Sequence, residues 1–328
     1  MDNYIPPFEI TNEMFEISTE IMENLGKLSN VNELEKLPRL RKVSRIKSIH
    51  SSLAIENNTL SIEQVTDIID GKRVLGPRED IIAVKNAFEA YKELDSLNPY
   101  DLKDLLKIHG IMMKDLVEEA GNLRSRNVGV FDENGNVVHT APPVEMVNEL
   151  VSQLFDWIKN TDIQMLIKSS VFHYEFEFIH PFCDGNGRMG RLWQTALLSS
   201  WKPIFKYIPI ESVIKDNQEE YYHAIAKSTS EGKSNAFILF MLDVINKAIK
   251  DIVNDSREHY NHINIQINKL MQVMETYPQS SQMIMDRLGL KSRIAFRKNY
   301  LNPALEAGLI GMTIPDKPTS KNQMYYKI

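Results

Sequence analysis

The twelve residues His180-Pro181-Phe182-Cys183-Asp184-Gly185-Asn186-Gly187-Arg188-Met189-Gly190-Arg191 force a break in the chain. Glycine and proline are unfavourable in a helix interior, and both are depleted in strands together with aspartate and asparagine. A loop therefore separates Phe172–Ile179 from a segment to Trp201 that reads as helix. It gathers a histidine, an aspartate, three glycines and two arginines within a few ångströms of backbone.

The flanks are less decided. Phe172 to Phe178 alternates apolar and polar residues, as a strand would, while Phe172, Phe176 and Ile179 also fit one helical face. Most other segments read as helices. Ser61 can cap one, with Gln64 reaching back, Leu60 stapled to Val65 and Gly71 at the exit. Asn98 before Pro99 predicts a second start. Ile81, Val84, Phe88, Tyr91 and Leu94 keep the helical period, as do Leu150, Leu154, Trp157 and Ile158 after Pro142-Pro143. Asn127–Phe131, a turn at 132–135 and Asn136–Thr140 predict one β-hairpin.

Composition sets outer limits. A chain of 328 residues with 43% hydrophobic and 25% charged content suits a globular protein of two or three domains. It has one cysteine, Cys183, which excludes an internal disulfide framework. The N-terminus lacks the order of a signal peptide, and no apolar run approaches a membrane span. The expected setting is cytoplasmic, with no membrane partner. Residues 262–328 carry nine Lys plus Arg against four Asp plus Glu, a balance of +5 in a chain of net charge −6. That asymmetry marks a separate C-terminal module.

Gly185-x-Gly187-x-x-Gly190 matches the dinucleotide fingerprint literally, but the acidic residue expected about 20 positions on is absent and helices follow. His173 and His180 stand seven apart with no third metal ligand at a familiar spacing, so a core or surface role suits His173 better. Another chemistry fits. Gly185-Asn186-Gly187 leaves consecutive N–H groups able to turn inward as an anion nest, and a helix beginning at Arg188 points its positive end there. Arg188 and Arg191 share a helical face and can fork onto phosphate oxygens. Asp184 can hold Mg²⁺ together with substrate phosphates. His180, at the loop's entrance, can take a proton from a hydroxyl.

These residues resemble the core motif of Fic domain proteins, H-x-F-x-D-G-N-G-R-x-x-R, at every defining position. The resemblance implies a mainly α fold: a helical core, so Phe172–Ile179 as helix, with the hairpin as its flap. It implies AMP transfer from ATP to a Ser, Thr or Tyr hydroxyl of a target protein or of the chain itself. His180 becomes the general base, Asp184 the Mg²⁺ ligand, and Gly185, Asn186, Gly187 and Arg188 the phosphate cradle, joined by Arg191. Phe182 becomes a buried anchor. The Doc-like kinases of the superfamily carry Lys where this chain has Gly187, which favours nucleotidyl transfer here. Tyr221 and Tyr222 sit where relatives place aromatic residues near adenine. Ser52-Leu53-Ala54-Ile55-Glu56-Asn57 resembles the inhibitory motif S/T-x-x-x-E-G/N, with Ser52 and Glu56 at its defining positions, and implies N-terminal self-inhibition.

The expected organisation is an N-terminal helical region at 1–95 carrying the inhibitory helix, a catalytic core at 96–255 and a winged helix-turn-helix at 256–328. In the last, Gly289 marks the turn and Lys291–Glu306 a basic second helix that Pro303 is expected to shorten. Leu309–Ile314 with Gln323–Tyr326 predicts a two-stranded wing. Expected partners are ATP and a protein hydroxyl, with duplex DNA and a second copy of the chain as further candidates. Two rival readings are transfer of UMP or phosphocholine, and a DNA-binding regulator whose core only senses nucleotide.

Overall fold

The computed structural model describes residues 4–30, 38–131, 137–306 and 308–328. The chain forms two compact units, Met1–Ile252 and Val253–Ile328. The first contains α1 (Asn12–Asn30), α2 (Pro38–Ile55), α3 (Ile62–Ile69), α4 (Arg78–Lys92) and α5 (Leu102–Met112). A hairpin of β1 (Gly129–Phe131) and β2 (Val137–Thr140) follows, then α6 (Val144–Asn160), α7 (Met165–Ile179) and α8 (Asn186–Trp201). After α9 (Ile210–Asp216) and α10 (Gln218–Glu231) comes α11 (Asn235–Val273), within which the division between units falls.

Phe172–Ile179 is helix. Its alternation misleads because α7 is buried on nearly every side, Ser169, His173 and Glu175 included. A helix enclosed all round needs no polar face, so periodicity carries little information. α7 packs on α8 and α6, and α2 packs on α9 and α4. Residues 1–95 therefore share a unit with the catalytic loop.

Local signals decide the smaller features. Ser61 and Gln64 form a reciprocal capping box on α3, and Gly71 takes φ +77 beyond its end. Asn98 does not start a helix. Its Oδ1 accepts from the Tyr100 N–H at 3.1 Å in a local turn, while Asp101 caps α5 through the Lys103 N–H. Both residues are good caps, and the turn at Asn98 wins the nearer amide. β1 and β2 pair antiparallel, Gly129 with Thr140, with an irregularity between Val130 and Phe131. The expected turn at 132–135 lies outside the described residues.

The second unit is built on Leu270, Ile284, Phe296, Leu301 and Ala304, all buried. β3 (Gln279–Ser280) leads into α12 (Ser281–Arg287), and α13 (Arg293–Phe296), a π-type turn at Arg297–Leu301 and α14 (Asn302–Glu306) follow. Gly289 supplies φ +68 in the turn between α12 and α13. Pro303 does not shorten the helical run, which continues to Glu306. Proline lacks the N–H that would bond back to Asn299, and the π turn before it absorbs the mismatch. β4 (Ile310–Met312) and β5 (Met324–Lys327) are joined by β3 in a three-stranded sheet of order β3-β5-β4, one strand more than expected. Among the described residues, no helix is long and apolar enough to cross a membrane.

Candidate active site

α7 ends at His180, which caps it in the left-handed conformation at φ 50, ψ 61. A side chain other than glycine is strained there, so neighbouring groups must hold the bend. Arg124 does so. Its Nε donates to the His180 carbonyl at 2.9 Å and its guanidinium reaches the carbonyls of Ile179, Arg126 and Pro142. The Arg124 N–H adds a bond to Pro181 O at 2.9 Å. With its charge buried at 3% exposure, Arg124 is a clamp on the turn that aims His180.

The histidine's tautomer follows from its contact. Nδ1 lies 3.3 Å from the Glu177 carbonyl, which can only accept, so Nδ1 carries the hydrogen and Nε2 the lone pair. The Glu177 carboxyl, 3.9 Å from Nδ1, is pushed up to about 8 by burial. At neutral pH it is mostly uncharged.

From His180 the loop runs to α8. Asn186 secures it: its Oδ1 accepts from Phe182 N–H at 2.9 Å and its Nδ2 donates to Phe182 O at 2.8 Å. That side chain is committed to the loop, and its contribution to an anion is its backbone. Phe182 is fully buried and stacks on His109 with ring centroids 3.6 Å apart. His109 accepts the Gly121 N–H at Nδ1, so Nε2–H donates to Asp184 O at 3.0 Å. Burial holds this imidazole neutral by pushing it down to about 4.

α8 begins at Gly185, φ +85, with no side-chain cap and no acid in its first turn. The first N–H groups of a helix have no intrahelical acceptor, so this end can receive an anion. Arg188 stands over it, nearly buried. One guanidinium nitrogen donates to Asp184 Oδ1 at 2.9 Å, and the buried Nε has no hydrogen-bond partner among the described residues. A phosphate oxygen would satisfy both the helix end and Arg188.

Arg191 is already engaged. Its Nε donates to Ser52 Oγ at 3.2 Å, and one terminal nitrogen donates to Ser52 O at 3.0 Å and Glu56 Oε1 at 2.6 Å. Burial opposes its charge, but Glu56 outweighs that and holds the guanidinium pKa above its ordinary range. α2 ends at Ile55, and Asn57 takes φ 63, so the chain turns as it presents Glu56. A Cβ on Gly187 would lie 2.5 Å from Glu56 Oε1 and 2.9 Å from Arg191. The carboxylate thus lies directly against the glycine of the nest.

The sequence-predicted residues Ser52, Glu56, His180, Asp184 and the loop through Arg191 converge within one unit. The tyrosine pair divides. Tyr221 is buried with its hydroxyl 3.2 Å from His173 Nε2, and only Tyr222 keeps a partly open face. His173 is core, bonded to Gln194. No group of three or more potential metal ligands occurs among the described residues. Asp184 alone, with its side chain 54% exposed, fits a Mg²⁺ carried mainly by substrate phosphates, not one caged by protein. Sequence reading missed Arg124, His109 and Glu177.

Comparisons with known proteins agree with this geometry. The Fic/DOC family model matches residues 99–198, and the Fic-like C-terminal domain model matches 265–327. A Fic family protein of Desulfovibrio desulfuricans G20, known from its crystal structure, is 45% identical. The match covers 99% of this chain and 98% of that one with a TM-score of 0.75. The chain belongs to the Fic family. A Fic domain containing signaling protein of Bacteroides thetaiotaomicron shares the fold, with TM-score 0.59 at 18% identity over 73% of this chain and 97% of that one. Among curated relatives, protein adenylyltransferase Fic of Nematostella vectensis is 27% identical over 59% of this chain and 45% of that protein. The protein of the same name in Drosophila erecta is 29% identical over 61% and 40%. The chain thus spans less than half the length of these curated relatives.

Proposed function

We propose that the protein transfers AMP from ATP to a Ser, Thr or Tyr hydroxyl, on a target protein or on itself, and that Glu56 restrains this activity. The observation that carries the reading is the uncapped, acid-free start of α8, with the unsatisfied Nε of Arg188 above it and a tautomerically fixed histidine at the loop's entrance. An anion site alone would suit a nucleotide sensor. The held tautomer and strained turn of His180 suit a base.

In this reading the phosphates rest on the backbone of Gly185, Asn186 and Gly187 and on Arg188, and Tyr222 borders the adenine. Asp184 would hold Mg²⁺, which supplies neutralising charge to the phosphates. His180 Nε2 removes the proton from the incoming hydroxyl. The oxygen forms a bond to the α-phosphorus as the bond to the bridging oxygen breaks, and pyrophosphate leaves. Arg191 is the natural ligand of the outermost phosphate, and Glu56 competes for it with a charge-assisted pair. A nucleotide bound beside Glu56 would sit displaced, and about 1 Å of misplacement can cost ~10²-fold.

Residues 1–95 then supply the restraint, 96–255 the chemistry and 256–328 a winged-helix module. Incubation with labelled ATP and Mg²⁺, followed by mass spectrometry of the modified peptides, tests the reading. Peptides gaining AMP support it. Gain of UMP or phosphocholine from the corresponding donors, without AMP, would replace it.

A further inference from the structure

Unit 1 has a cavity of about 290 Å³ on the opposite half of α2 from Glu56. Arg41, Lys42 and Arg45 line it from α2, facing Phe88, Asp95 and Tyr207. Its charges do not cancel. Lys42 pairs with Asp70, and Asp95 pairs with Lys206 at 2.7 Å, so these four groups balance. The guanidinium of Arg41 lies 5.6 Å from the centre of the Tyr207 ring. Arg45 is half-buried and makes no hydrogen bond or ion pair among the described residues. Two guanidinium charges are left on a concave, partly aromatic surface. The first turn of α2 contains no acid, so the helix end adds to the positive field.

We propose that this cavity binds a small phosphate monoester with an apolar body, and that the bound ligand strengthens the hold of Glu56 on Arg191. A phosphate monoester carries about −1.5 to −2 at neutral pH, which matches the two guanidiniums, and their planar forks suit its oxygens. The volume lies at the small end of ligand sites, and Phe88 and Tyr207 offer apolar surface for the remainder of the molecule. The direction of the effect follows from which state has the cavity. It is formed while Ser52 and Glu56, further along the same helix, engage Arg191. A ligand favours the state it fits, and this one fits the restrained state. The regulatory half rests on the adenylyl-transfer reading, whereas binding does not.

The probe is phenyl phosphate, titrated calorimetrically into the full chain, with benzoate as the carboxylate counterpart. Saturable binding is expected, at least about tenfold weaker for benzoate and for Arg45→Ala, intermediate for Arg45→Lys, and unchanged for Arg188→Ala. Matching circular dichroism of the Arg45 variants with wild type shows that they are folded. Absence of saturation in the millimolar range would overturn the site. Loss in Arg188→Ala with retention in Arg45→Ala would move the binding to the catalytic loop and overturn it equally. Benzoate binding as tight as phenyl phosphate would refute the phosphate assignment. For regulation, phenyl phosphate should slow labelled AMP incorporation by wild type at least threefold. It should leave Glu56→Gly, which still binds it, unaffected. Equal slowing of both would sink the coupling to Glu56. If neither protein incorporates AMP, the transfer reading fails while the calorimetric result stands.

Discussion

The arginines of α8 and the cations of the second unit show two ways of using positive charge. Arg188 and Arg191 are buried, and each is fixed by named oxygens: Asp184 for one, Ser52 and Glu56 for the other. Lys291, Arg293, Arg297 and Lys298 are exposed and make no ion pair among the described residues. Exposed cations act through a screened field that falls with salt. Buried ones act through geometry, since a buried charge stays only where partners compensate it. Substitutions in the first region should therefore change rates abruptly, and those in the second should change affinity gradually.

The contrast is most severely tested at His180. His180→Ala is expected to lower AMP incorporation by ~10²–10⁴-fold, the usual worth of general-base assistance. ATP binding should persist, because the cradle and Arg188 are untouched. Near-normal transfer by the folded variant would remove the assigned mechanism.

Arg124 sharpens the comparison because it is buried and cationic yet outside the phosphate cradle. Arg124→Ala is expected to cost about 10²-fold in transfer through misplacement of His180, with little change in ATP affinity. Arg124→Lys should recover only part of the loss, since a single ammonium cannot span the carbonyls of Ile179, His180 and Pro142. A matching loss of ATP binding would mean general damage to the fold, not positioning of the base.

The restraint predicts a change of the opposite sign. Glu56→Gly should free Arg191 and raise self-modification at least about tenfold, equivalent to ~1.4 kcal/mol of barrier. Arg191→Ala should not mimic it, because the phosphate ligand disappears with the restraint. Incorporation of labelled AMP by the three proteins decides the matter. A Glu56→Gly protein that is folded and no faster than wild type would leave the Glu56–Arg191 pair a structural contact only.

The loop was legible because its chemistry is local: twelve consecutive residues carry the base, the carboxylate, the nest and both arginines. Glu56 was legible only through family resemblance, since no physical pattern in the sequence joins it to Arg191 across 135 positions. Arg124 and His109 were not legible. Their main partners at the site are backbone carbonyls of the loop, and a carbonyl leaves no trace in the choice of side chain. Glu177 was visible as a residue but not as a near-neutral acid, because its state is set by burial on a helix whose enclosure periodicity could not reveal. The C-terminal module showed its turn and its charge. β3 was hidden because two residues are too few to carry a period.

The second unit supplies the smallest expected effect and the sharpest test of the contrast. If its exposed cations meet duplex DNA, they do so by displacing counterions, so affinity should fall linearly on a log–log plot against salt. Each phosphate contact contributes about one unit of slope. Fluorescence anisotropy of the full chain with a short duplex measures it. Arg293→Ala and Arg297→Ala should each lower the slope by about 1 and weaken binding uniformly across sequences. Arg45→Ala is the control for the other basic surface and should leave the slope unchanged. Arg297 carries a further consideration, because its guanidinium also reaches Pro318 O at 3.4 Å. That contact is long and exposed, so its loss should add little. A loss confined to one duplex sequence would point to base readout at Arg293 or its exposed neighbour Ile294. Absence of any salt-sensitive binding at low ionic strength would assign the module to a protein partner, and exposed charge in this chain would then serve specificity as buried charge does.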